Sequence, residues 1–193
     1  MVKLNKIYTR TGDDGTTGLV DGSRIAKSAP LMAAVGDVDE ANSAIGIAVA
    51  ALDADSAAAA MLARIQNELF DLGADLATPA DIQFGFGPHD MALRIMPSQI
   101  ARLEDEIDRM NDDLESLKSF ILPGGTDAAA RLHLARAVTR RAERAAVAAA
   151  SERDLNPLAL TYLNRLSDHL FVLTRHLNLA AGGDVLWKPG ATR

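Results

Sequence analysis

A stripe of apolar side chains with the period of an α-helix runs through most of the chain and constrains its fold more than any other feature. In one segment the stripe alternates spacings of three and four residues: Leu62, Ile65, Leu69, Leu72 and Leu76. A second segment repeats this pattern: Ile100, Leu103, Ile107, Met110 and Leu114. Such spacing places the side chains on one face of a helix, which buries them against neighbouring helices. The pattern therefore predicts an all-α fold.

Capping residues and helix breakers divide the chain into five predicted helices. Ser, Thr and Asn favour a helix N-terminus, and proline is tolerated in its first turn. The predicted helices are Pro30 to Leu52, a segment capped by Ser56 and ended by Pro79, a segment capped by Ser98, a segment from the cap Thr126 to about Ala150, and a segment from Asn156 and Pro157 to Gly182 and Gly183. Short joints predict an up-and-down bundle, with residues 79–97 as a surface excursion.

Composition and charge narrow the class of protein. Hydrophobic residues make up 48% of the 193 residues and aromatic residues only 4%, an alanine-rich balance that suits closely packed helices in one domain. The formal charge of −6 opposes general binding to nucleic acid. The chain has no cysteine, its first residues lack the apolar core of a signal peptide, and no apolar run approaches the roughly 20 residues that span a bilayer. We expect a cytoplasmic protein with no nucleic-acid or membrane partner.

Glycine, threonine and aspartate are concentrated between Ile7 and Lys27, which predicts a loop that is ordered by itself or by a ligand. Glycine lets backbone N–H groups approach phosphate oxygens, and threonine hydroxyls add further donors. Asp13 or Asp14 is suited to hold Mg²⁺, and Lys27 to add a positive charge. Two interpretations stay open from these residues alone, a plain turn and a phosphate-binding loop.

A row of arginines lies on the fourth predicted helix. Arg136, Arg140 and Arg144 recur every four residues and so share one face, with Arg141 and Glu143 beside them. One interpretation is that the arginine stems cover apolar surface while their charged heads stay in water. The other is that the row binds an anionic ligand.

Motifs that would indicate other chemistries are absent. The chain contains no Gly-x-x-x-x-Gly-Lys-Ser/Thr phosphate loop, no Gly-x-Gly-x-x-Gly, no EF-hand loop and no Glu-x-x-His pair of a di-iron bundle. Ser167, Asp168 and His169 point in different directions on a helix and cannot form a hydrolytic triad. His133 and His176 are interpreted as packing or hydrogen-bonding residues.

Four motifs occur in a defined order along the chain. They are Tyr8 to Thr17, Gly36 to Ser43, Phe120 to Gly125, and Arg140 to Arg144 with Tyr162 to Asp168. Together they resemble the corrinoid adenosyltransferase family of the propanediol-utilisation (PduO) type, over roughly residues 5–180. At Ala41 the chain departs from the family, in which leucine is usual, and this difference concerns packing.

The resemblance implies one domain over residues 1–193: a nucleotide-binding segment 1–28, a five-helix bundle 29–182, and a tail 183–193 that we expect to be loose. It also implies a homotrimer with each ATP site between neighbouring subunits, and cobalamin or another corrinoid as the second substrate. Mg²⁺ is expected to be carried mainly by ATP, and its protein ligands stay undetermined. A reductase and an adenosylcobalamin-dependent enzyme are further expected partners.

The resemblance assigns roles to individual residues. The phosphate loop comprises Thr9, Arg10, Thr11, Gly12, Thr17, Gly18 and Lys27. Contacts to ATP from the bundle come from Arg140, Arg141, Glu143, Arg144 and Asn164. Arg136 pairs with Asp39 of the neighbouring subunit, and Phe120 faces the corrin and helps to displace the lower axial cobalt ligand.

The implied chemistry is consistent with the absence of a triad. Co(I) is a strong nucleophile and attacks the 5′ carbon of ATP without a protein base, which forms adenosylcobalamin and releases triphosphate. The protein then has to align the substrates and stabilise charge on the leaving group. Two other classes stay open, a protein that senses ATP or delivers cobalamin without catalysis, and a structural helical assembly whose arginines pair across subunits.

Overall fold

The computed structural model describes residues 7–83 and 91–193. Within these ranges a short antiparallel hairpin precedes five α-helices. The elements are β1 (Thr16–Gly18), β2 (Arg24–Ala26), α1 (Pro30–Val49), α2 (Ala57–Ala77), α3 (Pro97–Asn111), α4 (Asp127–Ala150) and α5 (Pro157–Leu179). The prediction of an all-α, five-helix fold is confirmed. Among the described residues, no helix combines the length and apolar character needed to cross a membrane.

The hairpin lies in the segment predicted as a glycine- and threonine-rich loop. β1 and β2 pair with Thr17 opposite Ile25. Asp21 closes the turn, because its Oδ1 accepts hydrogen bonds from the N–H and the hydroxyl of Ser23 at 2.9 and 2.6 Å. Leu19 and Ile25 are partly buried against the helical core. These two apolar side chains anchor the hairpin on the bundle.

Three of the predicted N-caps are confirmed by their hydrogen bonds. The hydroxyl of Ser56 accepts from the N–H of Ala59 at 3.1 Å, and the hydroxyl of Thr126 accepts from that of Ala129 at 3.2 Å. The side-chain oxygen of Asn156 accepts from the N–H of Leu158, also at 3.1 Å. Each cap satisfies a backbone donor that the helix leaves free, a contribution of about 1 kcal/mol.

The predicted cap of the third helix is wrong. Pro97 occupies the first helical position, which places the N-cap at Met96 instead of Ser98. Proline suits this position because its fixed φ matches the helix and its missing N–H needs no partner. The side-chain oxygen of Gln99 then accepts a hydrogen bond from the N–H of Met96 at 2.8 Å.

Small and large apolar residues have different places in the core. α1 packs most extensively on α4, which also packs on α5, while α2 packs on α1 and α3 on α5. α1 and α4 both bury alanines, whose small side chains let two helices approach closely. We call these residues the alanine seam: Ala34, Ala41, Ala44 and Ala48 on α1, and Ala135, Ala142, Ala146 and Ala149 on α4. Leucines of α2 and α5 fill the wider parts of the core.

A buried carboxylate fixes the segment between α2 and α3. The Asp75 side chain is fully buried, and its two oxygens accept hydrogen bonds from Arg94 at 2.7 Å, from the N–H of Ile95 at 2.8 Å and from Asn156 at 2.7 Å. The Arg94 guanidinium also donates to the carbonyls of Thr78, Pro79 and Ile82. These bonds join α2, the following segment and the start of α5.

The prediction of a surface excursion over residues 79–97 is therefore wrong for its second part. Ile95 is fully buried in the core, and Arg94 is held by Asp75. Gly85, Gly87 and Pro88, which contributed to this prediction, lie outside the described residues.

A second buried polar cluster joins α2, α3 and α5. Both oxygens of Glu106 accept hydrogen bonds from Arg64 at 2.8 Å, and one of them is also 2.9 Å from Nε2 of the fully buried His169. Nearby, the Tyr162 hydroxyl donates to Glu68 at 2.7 Å. Buried charges need such partners, because an unpaired buried charge is strongly destabilising.

Glu106 makes folding stability depend on acidic pH. Burial by itself raises the pKa of Glu106, but hydrogen bonds from His169 and Arg64 outweigh it and lower the pKa from 4.5 to about 2. The stability that this carboxylate contributes is thus fully present above pH 4.5 and is lost as the pH falls toward 2. We expect Glu106→Gln to flatten the pH dependence of the free energy of unfolding by about 1.4 kcal/mol per pH unit in this window.

Urea unfolding at several pH values measures this effect. Glu104→Gln is the matched control, because Glu104 forms an exposed ion pair with Arg165 on the same helix pair. Equal pH slopes for the wild type and Glu106→Gln would contradict the assignment.

The tail is anchored where we expected it to be loose. Ile121 and Leu186 form an antiparallel bridge. The N–H of Leu122 donates to the carbonyl of Val185, and the N–H of Trp187 donates to the carbonyl of Phe120, both at 2.8 Å. The first residues of the tail therefore lie along the segment that precedes α4.

Candidate active site

The loop before β1 is organised by its own polar groups. The hydroxyls of Thr9 and Thr11 are 2.9 Å apart, and Arg10 between them has a positive φ of 63°. Lys27 reaches back from the end of β2, and its Nζ donates to the carbonyl of Gly12 at 2.8 Å. A Cβ at Gly12 would lie 3.0 Å from that Nζ and 3.2 Å from the Thr16 carbonyl, so the close approach favours glycine.

Two further residues of the predicted phosphate loop, Thr17 and Gly18, lie in β1. Because Gly18 is opposite Arg24 in the ladder, the hairpin brings Arg24 over the loop. The Arg24 guanidinium donates to the Thr16 hydroxyl and to the Thr11 carbonyl. Sequence reasoning missed Arg24, and only the pairing register of the two short strands would have indicated it.

The aspartates of the loop lie outside any cluster of three or more acidic, cysteine or histidine side chains among the described residues. Asp14 uses one oxygen to accept hydrogen bonds from the N–H and hydroxyl of Thr16 at 2.9 and 2.7 Å, and these bonds lower the pKa of Asp14. In the part of the chain that the structure describes, no group of three His, Cys, Asp or Glu side chains is placed to hold a metal ion. Because Mg²⁺ often needs only one or two carboxylates beside phosphate oxygens, a contact from Asp13 or Asp14 to a nucleotide-bound Mg²⁺ stays a prediction.

The arginine row on α4 contains two cations that have no acidic partner in the described part of the chain. Arg140 and Arg144 are exposed, and within residues 7–83 and 91–193 neither forms an ion pair. One guanidinium N–H of Arg144 donates to the carbonyl of Arg140 at 3.0 Å, which keeps the side chain along the helix. Arginines whose remaining donors face solvent can bind an anion with a planar fork of N–H groups.

Arg141, which lies beside the row, has acidic partners within the chain. Its guanidinium donates to Asp37 at 3.1 Å and also pairs with Glu40, so it joins α4 to α1. Its predicted contact with ATP stays a prediction. On the opposite side of the row, the side-chain amide of Asn164 on α5 donates to Glu143 at 2.9 Å, which places these two predicted site residues together.

Arg136 and Asp39 are not paired with each other in the single chain. The Arg136 guanidinium lies 5.9 Å from the centre of the Phe171 ring, and its Nε is buried without a hydrogen-bond partner among the described residues. Burial and the nearby Arg140 lower the pKa of Arg136. Asp39 is exposed on α1, at the edge of a groove of about 340 Å³ between α1 and α2. Their predicted pairing across subunits stays a prediction.

His133 lies one turn before Arg136 and is buried, in agreement with a packing role. Within the described ranges, neither of its ring nitrogens has a hydrogen-bond partner. Burial, and secondarily the positive charge of Arg136, lower the pKa of His133 and so favour its neutral form.

Phe120 is not a core residue. Its side chain is 78% exposed on the segment that leads into α4. The ring of Trp187, which sequence reasoning missed, lies beside it with ring centres 6.1 Å apart and a 53° angle between the planes. The two aromatic rings form an apolar surface, because both remain accessible.

Most of the predicted site residues thus form two groups, one on the hairpin with the loop before it and one on α4 and α5, while Asp39 lies on α1 and Phe120 on the segment before α4. Among the described residues, no hydrogen bond or ion pair joins Thr11 or Gly12 to Arg140 or Arg144. In a site that used both groups, the contacts between them would therefore run through a bound ligand or a neighbouring subunit.

Comparisons with known proteins identify one family. The family model for cobalamin adenosyltransferase matches residues 7–177. A corrinoid adenosyltransferase from Mycobacterium bovis is 52% identical over 194 residues, which cover 100% of this chain and 97% of the relative. The corrinoid adenosyltransferase of Bacillus subtilis is 40% identical over 190 residues, with 96% and 94% covered.

Solved structures agree as well. A variant of a PduO-type ATP:corrinoid adenosyltransferase from Lactobacillus reuteri, in complex with cobalamin and ATP, superposes with a TM-score of 0.85 at 37% identity and covers 95% of this chain and 99% of that one. Sequence and fold lead to one conclusion. The chain belongs to the cobalamin adenosyltransferase family.

Proposed function

We propose that this protein transfers the 5′-deoxyadenosyl group of ATP to the cobalt of a reduced corrinoid. Co(I) supplies the electron pair for the new Co–C bond, the C5′–O bond breaks, and its electron pair leaves with triphosphate. Relatives that cover the whole chain are corrinoid adenosyltransferases, and a structural neighbour binds cobalamin and ATP. Both matches support this reaction.

The observation that carries the proposal is that Arg140 and Arg144 are exposed and have no acidic partner among the described residues. Arg141, between them in sequence, already has Asp37 and Glu40 as partners, whereas these two have no acidic partner among the described residues. A triphosphate whose negative charge increases during bond breaking is stabilised by fixed cations of this kind. The same helix thus uses one arginine for packing and leaves two for an anion.

The hairpin supplies the second half of the proposed site. Thr9 and Thr11 carry hydroxyls that lie on the exposed side of the loop, and Lys27 adds a positive charge next to Gly12. Together they can donate to phosphate oxygens. We propose that Mg²⁺ enters with the triphosphate, because phosphate oxygens are its usual ligands in nucleotide sites.

We further propose that the active unit is a homotrimer in which the hairpin of one subunit faces α4 of the next. The absence, among the described residues, of a hydrogen bond or ion pair between Thr11 or Gly12 and Arg140 or Arg144 agrees with this arrangement. So do the buried, unbonded Nε of Arg136 and the exposed carboxylate of Asp39, each of which lacks the other within its own chain. We also propose a cytoplasmic location. The proposed partners are a reductase that delivers electrons to the corrinoid and an adenosylcobalamin-dependent enzyme that receives the product.

Phe120 is proposed to act on the cobalt's axial ligand. An exposed ring on a fixed segment can occupy the space beneath the corrin, and a cobalt without its lower ligand is easier to reduce from Co(II) to Co(I). We expect Phe120→Ala to lower turnover from Co(II) by about 100-fold, and turnover from chemically prepared Co(I) by less than about tenfold. Anaerobic assays from the two oxidation states measure the ratio, and equal losses in both would contradict this role.

One assay tests the main proposal. Purified protein is mixed anaerobically with ATP, Mg²⁺ and chemically reduced cobalamin, while the visible spectrum and free triphosphate are followed together. Equimolar formation of a Co–C product and triphosphate supports the enzyme. Binding of both ligands without product would indicate a carrier, and absence of binding would indicate a structural assembly.

A further inference from the structure

Three parts of the chain meet at the C-terminal end of α5 around one buried ion pair. Arg175 on α5 donates through Nε to Asp184 at 2.9 Å, and through Nη2 to the carbonyl of Glu115 at 2.8 Å. The two charged side chains are only 11% and 10% exposed. The pair therefore ties the tail and the segment between α3 and α4 to the same helix.

Asn178, one turn further along α5, extends this contact. Its side-chain oxygen accepts from the N–H of Thr126 at 3.0 Å, and its amide donates to Asp184 at 3.2 Å and to the carbonyl of Gly124 at 3.3 Å. Gly125 has a φ of +99°, and a Cβ there would collide with the Asn178 side chain. The start of α4 is thus fixed to the same point as the tail.

The anchored tail then runs along the segment that carries Phe120. Beyond Asp184, the backbone of Trp187 donates to the carbonyl of Phe120 at 2.8 Å, and the Ser119 hydroxyl donates to the carbonyl of Trp187 at 2.7 Å. The indole ring lies against the Phe120 ring. Trp187, which follows Asp184, therefore bonds to the backbone of Phe120 and contacts its ring.

We propose that the Arg175–Asp184 pair positions Phe120 for the reduction step, by seating the tail that supports it. This inference rests on the proposed function. A buried ion pair contributes little net stability compared with apolar residues, but it fixes geometry, since each charge accepts few alternative partners. Without the carboxylate, the tail loses its charged anchor and the exposed Phe120 ring loses its neighbour.

The chain contains a single tryptophan, so Trp187 fluorescence reports directly on the seating of the tail. The test variant is Asp184→Asn, which keeps the side-chain shape but removes the charge. We expect the constant for acrylamide quenching of Trp187 to rise about twofold, because local opening exposes the indole. Turnover from Co(II) is expected to fall about tenfold, with turnover from pre-reduced Co(I) and the KM for ATP within about twofold of wild type.

Two further variants control this result. Glu104→Gln removes an exposed ion pair elsewhere on the bundle and should change neither quenching nor the ratio of the two rates. Arg175→Lys keeps a positive charge opposite Asp184 and should lower the Co(II) rate less than Asp184→Asn does. It also tests the ion pair if Asp184→Asn folds poorly. Far-ultraviolet circular dichroism confirms that the compared proteins are folded.

Several outcomes would overturn the proposal. Unchanged quenching in Asp184→Asn would show that the carboxylate does not seat the tail. Increased quenching together with equal losses of turnover from Co(II) and from Co(I) would show that the ion pair is only a structural anchor. Wild-type protein that forms no adenosylated product would overturn the proposed function and the link to turnover, whereas the quenching measurement would still show whether Asp184 anchors the tail.

Discussion

An Arg140→Ala variant is expected to lose about 10²–10³-fold in kcat/KM for ATP while its helices stay folded, because one fixed donor to the developing charge is removed. Arg140 is exposed and has no ion-pair partner among the described residues, so the fold does not depend on its charge. The spectral assay with varied ATP measures the loss. Turnover within about twofold of wild type would remove Arg140 from the site.

Arg131→Ala is the matched control for this variant. Arg131 also lies on the exposed side of α4, where it pairs with Asp127 at 2.8 Å. Its removal takes the same charge from the same helix and should leave turnover unchanged. A comparable loss in both variants would indicate a general effect of net charge and not a specific contact.

The same variant tests whether the site is shared between subunits. Arg140→Ala chains keep an intact hairpin, and Lys27→Ala chains keep an intact α4. When the two are mixed at random in a ring, about a quarter of the interfaces combine the two intact parts. We expect activity to recover to about that fraction, although each variant alone is nearly inactive. No recovery would show that hairpin and α4 of one chain serve the same ATP.

The largest effect on stability is expected at Asp75. Asp75→Ala should lower the free energy of unfolding by about 3–5 kcal/mol, because it leaves the Arg94 guanidinium without its buried counter-charge and two further donors without an acceptor. Urea unfolding followed by circular dichroism measures the change. A loss of less than about 1 kcal/mol would contradict the importance of this cluster.

Asp127→Ala serves as its control. Asp127 also pairs with an arginine at 2.8 Å, but on the surface of α4, where water screens both charges. We expect no measurable change in the urea midpoint. The contrast between two ion pairs of nearly equal length isolates the effect of burial.

Local signals explain why most of the fold could be predicted. The apolar stripe of α2 and the caps Ser56, Thr126 and Asn156 act within a few residues of one another, so the printed order of residues contains them. The cap of α3 was misplaced because Ser98 has the right chemistry one residue too late, after Pro97. Ser98 as an N-cap and Pro97 at the first helical position were both acceptable signals, and the structure follows Pro97.

Contacts between distant residues explain what was missed. Arg94 and Asp75 are 19 residues apart, with Asp75 on α2 and Arg94 in the non-periodic segment that follows, and Arg175 meets Asp184 only because the tail folds back. Charged residues of this kind look like exposed ones until the fold supplies a partner. For the same reason the anchoring of the tail could not be predicted from its composition.

In the candidate site, too, local spacing could be predicted and contacts between distant residues could not. The four-residue spacing of Arg140 and Arg144 predicted a shared face, and both side chains are exposed on α4. That spacing does not distinguish them from Arg141, whose partners lie more than 100 residues earlier on α1. The residue spacing contains no signal for how Thr11 and Gly12 would be brought together with Arg140 and Arg144.

The alanine seam restricts which substitutions the interface between α1 and α4 can accept during evolution. Alanine is already the smallest residue that keeps a Cβ, so a change there either adds volume or introduces glycine, which costs about 1 kcal/mol of helix propensity. Added volume pushes α1 from α4 and displaces the arginine row with it. Lasting change at this interface therefore has to come as matched exchanges, in which growth on one helix accompanies shrinkage on the other.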